Sequence, residues 1–168
     1  MLDHDPFRRW LRKNVVITIH PATTVDLPRI NFVIKSAIMN WPLPDRLRKI
    51  TVPVMQYRED DMAAFSVLVA KLNGEILGIA AWDSEPTYPL PNGLGGLFHG
   101  LFVLPLVQYQ GIGTSLMNAV FDEARKIRTT GLLIKAQRVS RHYFERHNLT
   151  PLAATDDEYP WQYWKRLA

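Results

Sequence analysis

Residues 97–114, LFHGLFVLPLVQYQGIGT, hold the side chains and spacings best suited to chemistry. Gln108-x-x-Gly111-x-Gly113-Thr114 follows an apolar run and opens a stretch of helical periodicity. Glycine there has no Cβ, so the backbone can approach a ligand closely. The first N–H groups of a helix have no intrahelical partner, and the helix dipole adds partial positive charge beside them. A helix start of this kind receives an anion, best a phosphate or pyrophosphate. The competing explanation of Gly-x-Gly is a tight turn that serves only close helix–strand packing. Two better-known phosphate motifs do not fit. Leu116 stands where a dinucleotide fingerprint needs its third glycine, and Thr114 follows Gly113 where a Walker loop needs lysine. No Gly-x-Ser-x-Gly nucleophile elbow occurs.

His99 is the one histidine in this segment. On a strand it alternates with Leu101 and Val103, and an imidazole has a pKa suited to taking a proton near neutral pH. A core histidine held by a backbone hydrogen bond would show the same pattern. His142 and His147 are five apart, so a helix does not bring them to one face as metal ligands, and no metal site is expected. The absence of cysteine excludes disulfides, thiolate metal sites and a cysteine nucleophile.

These residues need elements to position them. Asn14 to Ile19 is β-branched and reads as a strand ended by His20-Pro21. Thr23-x-x-Asp26 opens a helix with Leu27, Ile30, Ile34, Ala37, Ile38 and Trp41 at helical spacing, stopped by Pro42 and Pro44. Asp45 to Ile50 predicts a short second helix ended at Val52-Pro53. Ser66–Leu72 and Glu75–Trp82 are strands joined at Asn73-Gly74, a pair that accepts the positive φ of a two-residue hairpin turn. A Pro- and Gly-rich loop is expected over 84–96, then a strand over 97–104, a helix over 111–127 and a strand over 132–136. A short helix over 140–147 and strands over 150–154 and 159–167 complete the chain. The order β-α-α-β-β-β-α-β-α-β-β predicts an α/β domain with a central mixed sheet flanked by helices, antiparallel first and with a parallel crossover later.

Composition agrees with one globular domain. The chain has 168 residues, 47% hydrophobic and 21% charged, enough to bury a core without staples. Residues 1–13 read as an amphipathic lead-in and 14–168 as the domain. The net charge of +4 is spread apart from Arg8, Arg9, Arg12 and Lys13, so no nucleic-acid partner is expected, and a solvated face explains that cluster. No apolar run approaches a membrane span and the acidic start is unlike a secretory signal, so a cytoplasmic protein without a membrane partner is expected.

Leu101-x-Val103-x-Pro105 followed by Gln108-x-x-Gly111-x-Gly113 resembles the signature of the GCN5-related N-acetyltransferase (GNAT) family, and the element order is similar too, over about residues 15–167. The resemblance implies acetyl-CoA as acyl donor, with its pyrophosphate on the backbone amides of Gln108, Tyr109, Gln110, Gly111, Ile112, Gly113 and Thr114. It implies a pantetheine arm along Leu101, Phe102 and Val103, in a splay between two parallel strands, where one N–H polarises the thioester carbonyl. Gln137 stands at the family's usual asparagine. The family's tyrosine acid, in the register Ser140 to Leu149, falls on Phe144, with Tyr143 about 100° away around the helix.

The reaction so implied is acetyl transfer to a primary amine. A lysine-like amine is only about 0.1% neutral at physiological pH, so a positioned base helps by about 10²–10⁴. His99 is the candidate base, and it is similar to a strand histidine of several subfamilies, among them those acting on aralkylamines. Without cysteine an acetyl-cysteine relay is impossible, which favours direct attack in a ternary complex. Trp41, Tyr57, Trp82 and Tyr88 are candidates for the acceptor pocket, with aromatic core as the alternative. Asp60 and Asp61 suit a cationic amine or a solvated turn. The partner is a small-molecule amine or a peptide or protein amine, as monomer or homodimer. The alternative function is a catalytically silent acyl-CoA-binding sensor or scaffold.

Overall fold

A computed structural model describes residues 16–154 and 157–168. The lead-in of residues 1–13, with its basic cluster, and the first two residues of the strand expected over 14–19 lie outside the described residues. Seven strands form one mixed sheet in the order β1-β2-β3-β4-β5-β7-β6. They are β1 Thr18–Pro21, β2 Ser66–Leu72, β3 Glu75–Leu90, β4 Gly93–Val103, β5 Gly131–Ala136, β6 Thr150–Leu152 and β7 Trp161–Arg166. Neighbours are antiparallel except β4 and β5, which run parallel and are joined through a helix. The mixed α/β architecture expected above is therefore the one observed.

The helices are α1 Leu27–Met39, α2 Asp45–Met55, α3 Glu59–Ala64, α4 Ile112–Lys126 and α5 Arg141–Glu145. Apolar residues at helical spacing carry α1 onto one face of the sheet: Ile30, Val33, Ile34 and Ile38 are buried with Val67, Val69, Ile79 and Ala81. On the other face Leu116, Val120, Phe121 and Ala124 of α4 pack on Leu68, Ala80, Trp82, Leu132 and Ile134. Successive residues of β2 thus serve opposite cores, as the two-residue period of a strand requires. Among the described residues no helix is long and apolar enough to cross a membrane.

The structure changes several expected boundaries. Strand β1 starts at Thr18 and keeps His20-Pro21, which pair with Val69 and Leu68. A proline is tolerated because β1 is an edge strand and one side of it needs no donor. Helix α2 runs past Pro53 to Met55. Buried Val52 and packed Met55 hold that last turn against α1, and Gln56 N donates to Val52 O at 3.1 Å. The short helix α3 was not expected. Its acidic first turn is closed by Arg58 N donating to Asp61 Oδ2 at 2.7 Å.

The loop expected over 84–96 is instead the far end of a long hairpin. Tyr88, Pro89 and Leu90 pair with Gly95, Leu94 and Gly93. Thr130 anchors this end by donating to Leu94 O at 2.8 Å and accepting from Asn92 Nδ2 at 3.0 Å. These partners are distant in sequence, so the local Pro and Gly content reads as loop. The Asn73-Gly74 turn forms as expected, with φ of 49° and 83°. The helix expected over 140–147 is a 3₁₀ turn at Arg138–Ser140 followed by α5.

Candidate active site

Strands β4 and β5 pair only from Gly96↔Leu132 to Phe98↔Ile134. Beyond Phe98, β4 continues with β3 as far as Val103, and its other edge is left without a strand partner. The cause is visible in the β3 register. Trp82 opposes Phe98 and Ala81 opposes Gly100, so His99 is an extra residue on β4. A bulge of this kind bends the strand and strengthens its twist. The two parallel strands part at that point and open a cleft of about 750 Å³.

The bulge also corrects the expected alternation. Leu101 and Val103 pack on the α4 side, whereas His99 meets Tyr57 and Phe65, which belong to the α1 side. His99 therefore does not share a face with Leu101 and Val103. Its ring opens onto the cleft, with Phe65 stacked on it at 4.1 Å and the Tyr57 hydroxyl 3.0 Å from Nδ1. Surrounding protein lowers its pKa below the ordinary 6.5, while Asp61 and Asp83 pull in the opposite direction. Burial and the nearby Asp61 raise the pKa of Tyr57, so this phenol keeps its proton.

The far end of the cleft is the start of α4. Tyr109 and Gly111 have φ of 62° and 85°. The first helical bond runs from Ser115 N to Gly111 O at 2.9 Å, so the N–H groups of Ile112, Gly113 and Thr114 precede any i→i−4 acceptor. Gln108 does more than its backbone role: Nε2 donates to Val103 O at 3.0 Å and ties the loop to the end of β4. Tyr143 stands over this helix start, with its hydroxyl 3.4 Å from Thr114 Oγ1. Burial raises its pKa, against smaller opposing effects of Thr114 and Arg146. Phe144 packs at 6.3 Å on Phe98, where the strands part. Phe144, which the sequence register sets at the family's tyrosine position, is buried in the core with Phe98 and Phe121, while Tyr143 beside it lines the cleft.

Of the expected site residues, His99, Leu101, Phe102, Val103, Gln108, Tyr109, Gly111, Ile112, Gly113, Thr114, Gln137 and Trp41 line the one cleft. Gln110 does not; its amide nitrogen is buried without a partner. Trp41 stacks on Phe102 with centroids 6.4 Å apart. Tyr57 is buried behind His99 and Gly100 and is not part of the cleft lining. Trp82 is 2% exposed, in the core beneath α4, and donates to Glu123 Oε2 at 3.2 Å, which removes it from the cleft wall. Tyr88 lies on the hairpin extension outside the cleft lining. Phe65 and Tyr143 were missed. Tyr143 is the neighbour of a motif position, a signal already in the sequence. Phe65 gives none, because only the fold brings residue 65 onto residue 99.

A helix start with N–H groups that lack intrahelical partners, an open strand edge and an imidazole thus share one cleft. The acetyltransferase (GNAT) family model matches residues 35–149. Among solved structures, the PaiA N-acetyltransferase from Thermoplasma acidophilum in complex with coenzyme A is similar over 90% of this chain and 99% of that one, at 13% identity and a TM-score of 0.73. A GNAT family acetyltransferase from Brucella melitensis in complex with acetyl-CoA is 17% identical over 91% of this chain and 89% of its own, with a TM-score of 0.63. The ribosomal-protein-S18-alanine N-acetyltransferase from Escherichia coli is 16% identical over 91% and 95% of the two chains, with a TM-score of 0.60. Among curated proteins no sequence match is found. With the family model covering residues 35–149, more than half of the chain, the chain belongs to the acetyltransferase (GNAT) family.

Proposed function

We propose that the protein is an N-acetyltransferase that moves an acetyl group from acetyl-CoA to a primary amine by direct attack in a ternary complex. The observation that carries this reading is the parting of β4 and β5 at His99, in the same cleft as the start of α4. Acetyl-CoA, when bound, supplies a thioester, whose acyl carbon accepts the amine. The residues present fit it. The N–H groups of Ile112, Gly113 and Thr114 suit a pyrophosphate, and a Cβ on Gly113 would crowd the Tyr143 hydroxyl at 3.2 Å. The free edge of Leu101–Val103 offers backbone groups to an extended amide-bearing chain, and an N–H there can hold the developing oxyanion.

His99 takes the proton of the incoming ammonium. Its lowered pKa favours the neutral ring at neutral pH, and Asp61 and Asp83 favour a cation beside it. Tyr143 belongs to cofactor binding in this reading, because its hydroxyl reaches the helix start. A thiolate leaves without a strong acid, its conjugate thiol having a pKa of about 8.5.

Thiol release from acetyl-CoA, measured against a broad panel of amines, tests the proposal. Release that depends on an amine supports it. Acetyl-CoA binding without amine-dependent release from any member would identify a silent acyl-CoA-binding module instead.

A further inference from the structure

We infer that Tyr57 is a positioning residue for His99: its hydroxyl accepts a hydrogen bond from Nδ1–H and leaves the lone pair of Nε2 facing the cleft. The inference rests on the reading of His99 as the base.

Tyr57, between α2 and α3, is held by hydrogen bonds on both backbone groups. Asn31 of α1 clamps its backbone from both sides, with Nδ2 donating to Tyr57 O at 2.8 Å and Oδ1 accepting from Tyr57 N at 2.8 Å. Gln56 Nε2 donates in turn to Asn31 O at 3.2 Å. The residue is 5% exposed, and its hydroxyl is 3.0 Å from His99 Nδ1. Gly100 completes the arrangement. A Cβ there would stand 2.7 Å from the Tyr57 hydroxyl, so the residue after His99 must be glycine for the phenol to reach the imidazole.

The direction of the bond follows from the work asked of the ring. A base must receive its proton on the nitrogen that faces the acceptor, so Nδ1 must already carry hydrogen. In the resulting imidazolium Nδ1 is necessarily a donor. With Tyr57 as acceptor the same bond serves before and after proton uptake, and nothing has to turn during the step. The proton leaves the acceptor ammonium for Nε2 and later passes to solvent, while the Nδ1 proton stays in place. A neutral phenol stabilises the imidazolium less than a carboxylate would, which lets the ring release its proton again. The charged groups that act on the ring are Asp61 from α3 and Asp83 from β3. Both raise its proton affinity, so Tyr57 has to set the tautomer without adding a third charge.

The test reads the ring directly. Long-range ¹H–¹⁵N spectra of the full-length protein are recorded across pH for wild type, Tyr57→Phe and Gly100→Ala. Neutral His99 is expected with hydrogen on Nδ1 in wild type, and with that preference lost in both variants. Amine-dependent kcat should fall roughly 10-fold in each, a part of what the base itself is worth, and the double variant should fall no further than either alone. KM for acetyl-CoA should hold in Tyr57→Phe, which keeps the ring and removes one oxygen. Hydrogen on Nε2 in neutral wild type overturns the inference, as does an unchanged tautomer in Tyr57→Phe. If no amine is acetylated, the reading of the protein as a transferase fails while the spectra still decide the role of Tyr57.

Discussion

At the scale of single residues, His99 carries the sharpest expectation. His99→Ala should lower kcat by about 10²–10⁴ and leave acetyl-CoA affinity nearly intact. The sign of the pH dependence follows from its environment. The neutral ring is the active form, so activity rises with pH through the pKa of His99. Burial lowers that pKa, which places the acidic limb of the wild-type profile below the ordinary 6.5. The limb should disappear in the variant. Wild-type turnover per folded molecule with an unchanged limb would assign His99 to packing. The glycines of the helix start give a second expectation. Gly111 has φ of 85° with open space around its absent Cβ, so Gly111→Ala acts through backbone strain. Gly113→Ala acts through the approach of Tyr143. Together they should weaken acetyl-CoA binding at least about tenfold, near 1.4 kcal/mol, by calorimetry. Unchanged affinity would remove the pyrophosphate from this helix start.

At the scale of elements, the β4 bulge decides most. Period-two alternation placed His99 beside Leu101 and Val103, and one inserted residue moved it to the opposite face. The insertion is set by pairing with Trp82 and Ala81 in β3, about eighteen residues away in sequence, so no local pattern announces it. The β2–β3 hairpin behaves in the opposite way. Its register follows from a two-residue turn whose residue types already demand positive φ. Gly74→Ala leaves the space free but strains a backbone at φ of 83°, and it should cost about 1 kcal/mol in urea unfolding, with the m-value unchanged. A variant as stable as wild type would show that the turn relaxes into another type.

At the scale of the whole molecule, the cleft runs between structures that sit on both faces of the sheet. Helix α4 supplies one end, while α2 and the segments on either side of it supply Met55, Trp41 and the Tyr57 hydroxyl at His99. A ligand that bridges them binds the folded state alone. Acetyl-CoA at about 100 times its Kd should therefore raise unfolding free energy by about 2.7 kcal/mol. Adenosine, which lacks the phosphates, should shift thermal melting less at the same concentration. Equal shifts for the two ligands would argue against recognition at the start of α4.

The sequence by itself determined the class of fold and the family. Apolar periodicity placed α1, α4 and most strands, and Gln108-x-x-Gly111-x-Gly113 marked the start of α4, because such signals are local and need only a few neighbouring residues. Tertiary structure alone decided the rest. It converted the Pro- and Gly-rich loop into paired strand through Thr130, withdrew Trp82 into the core, extended α2 past Pro53, and buried Tyr57 within hydrogen-bond distance of the His99 imidazole. Each of these outcomes depends on a partner far along the chain. Such a contact exists only once the sheet has closed, and no spacing within one segment can encode which distant side chain will be there.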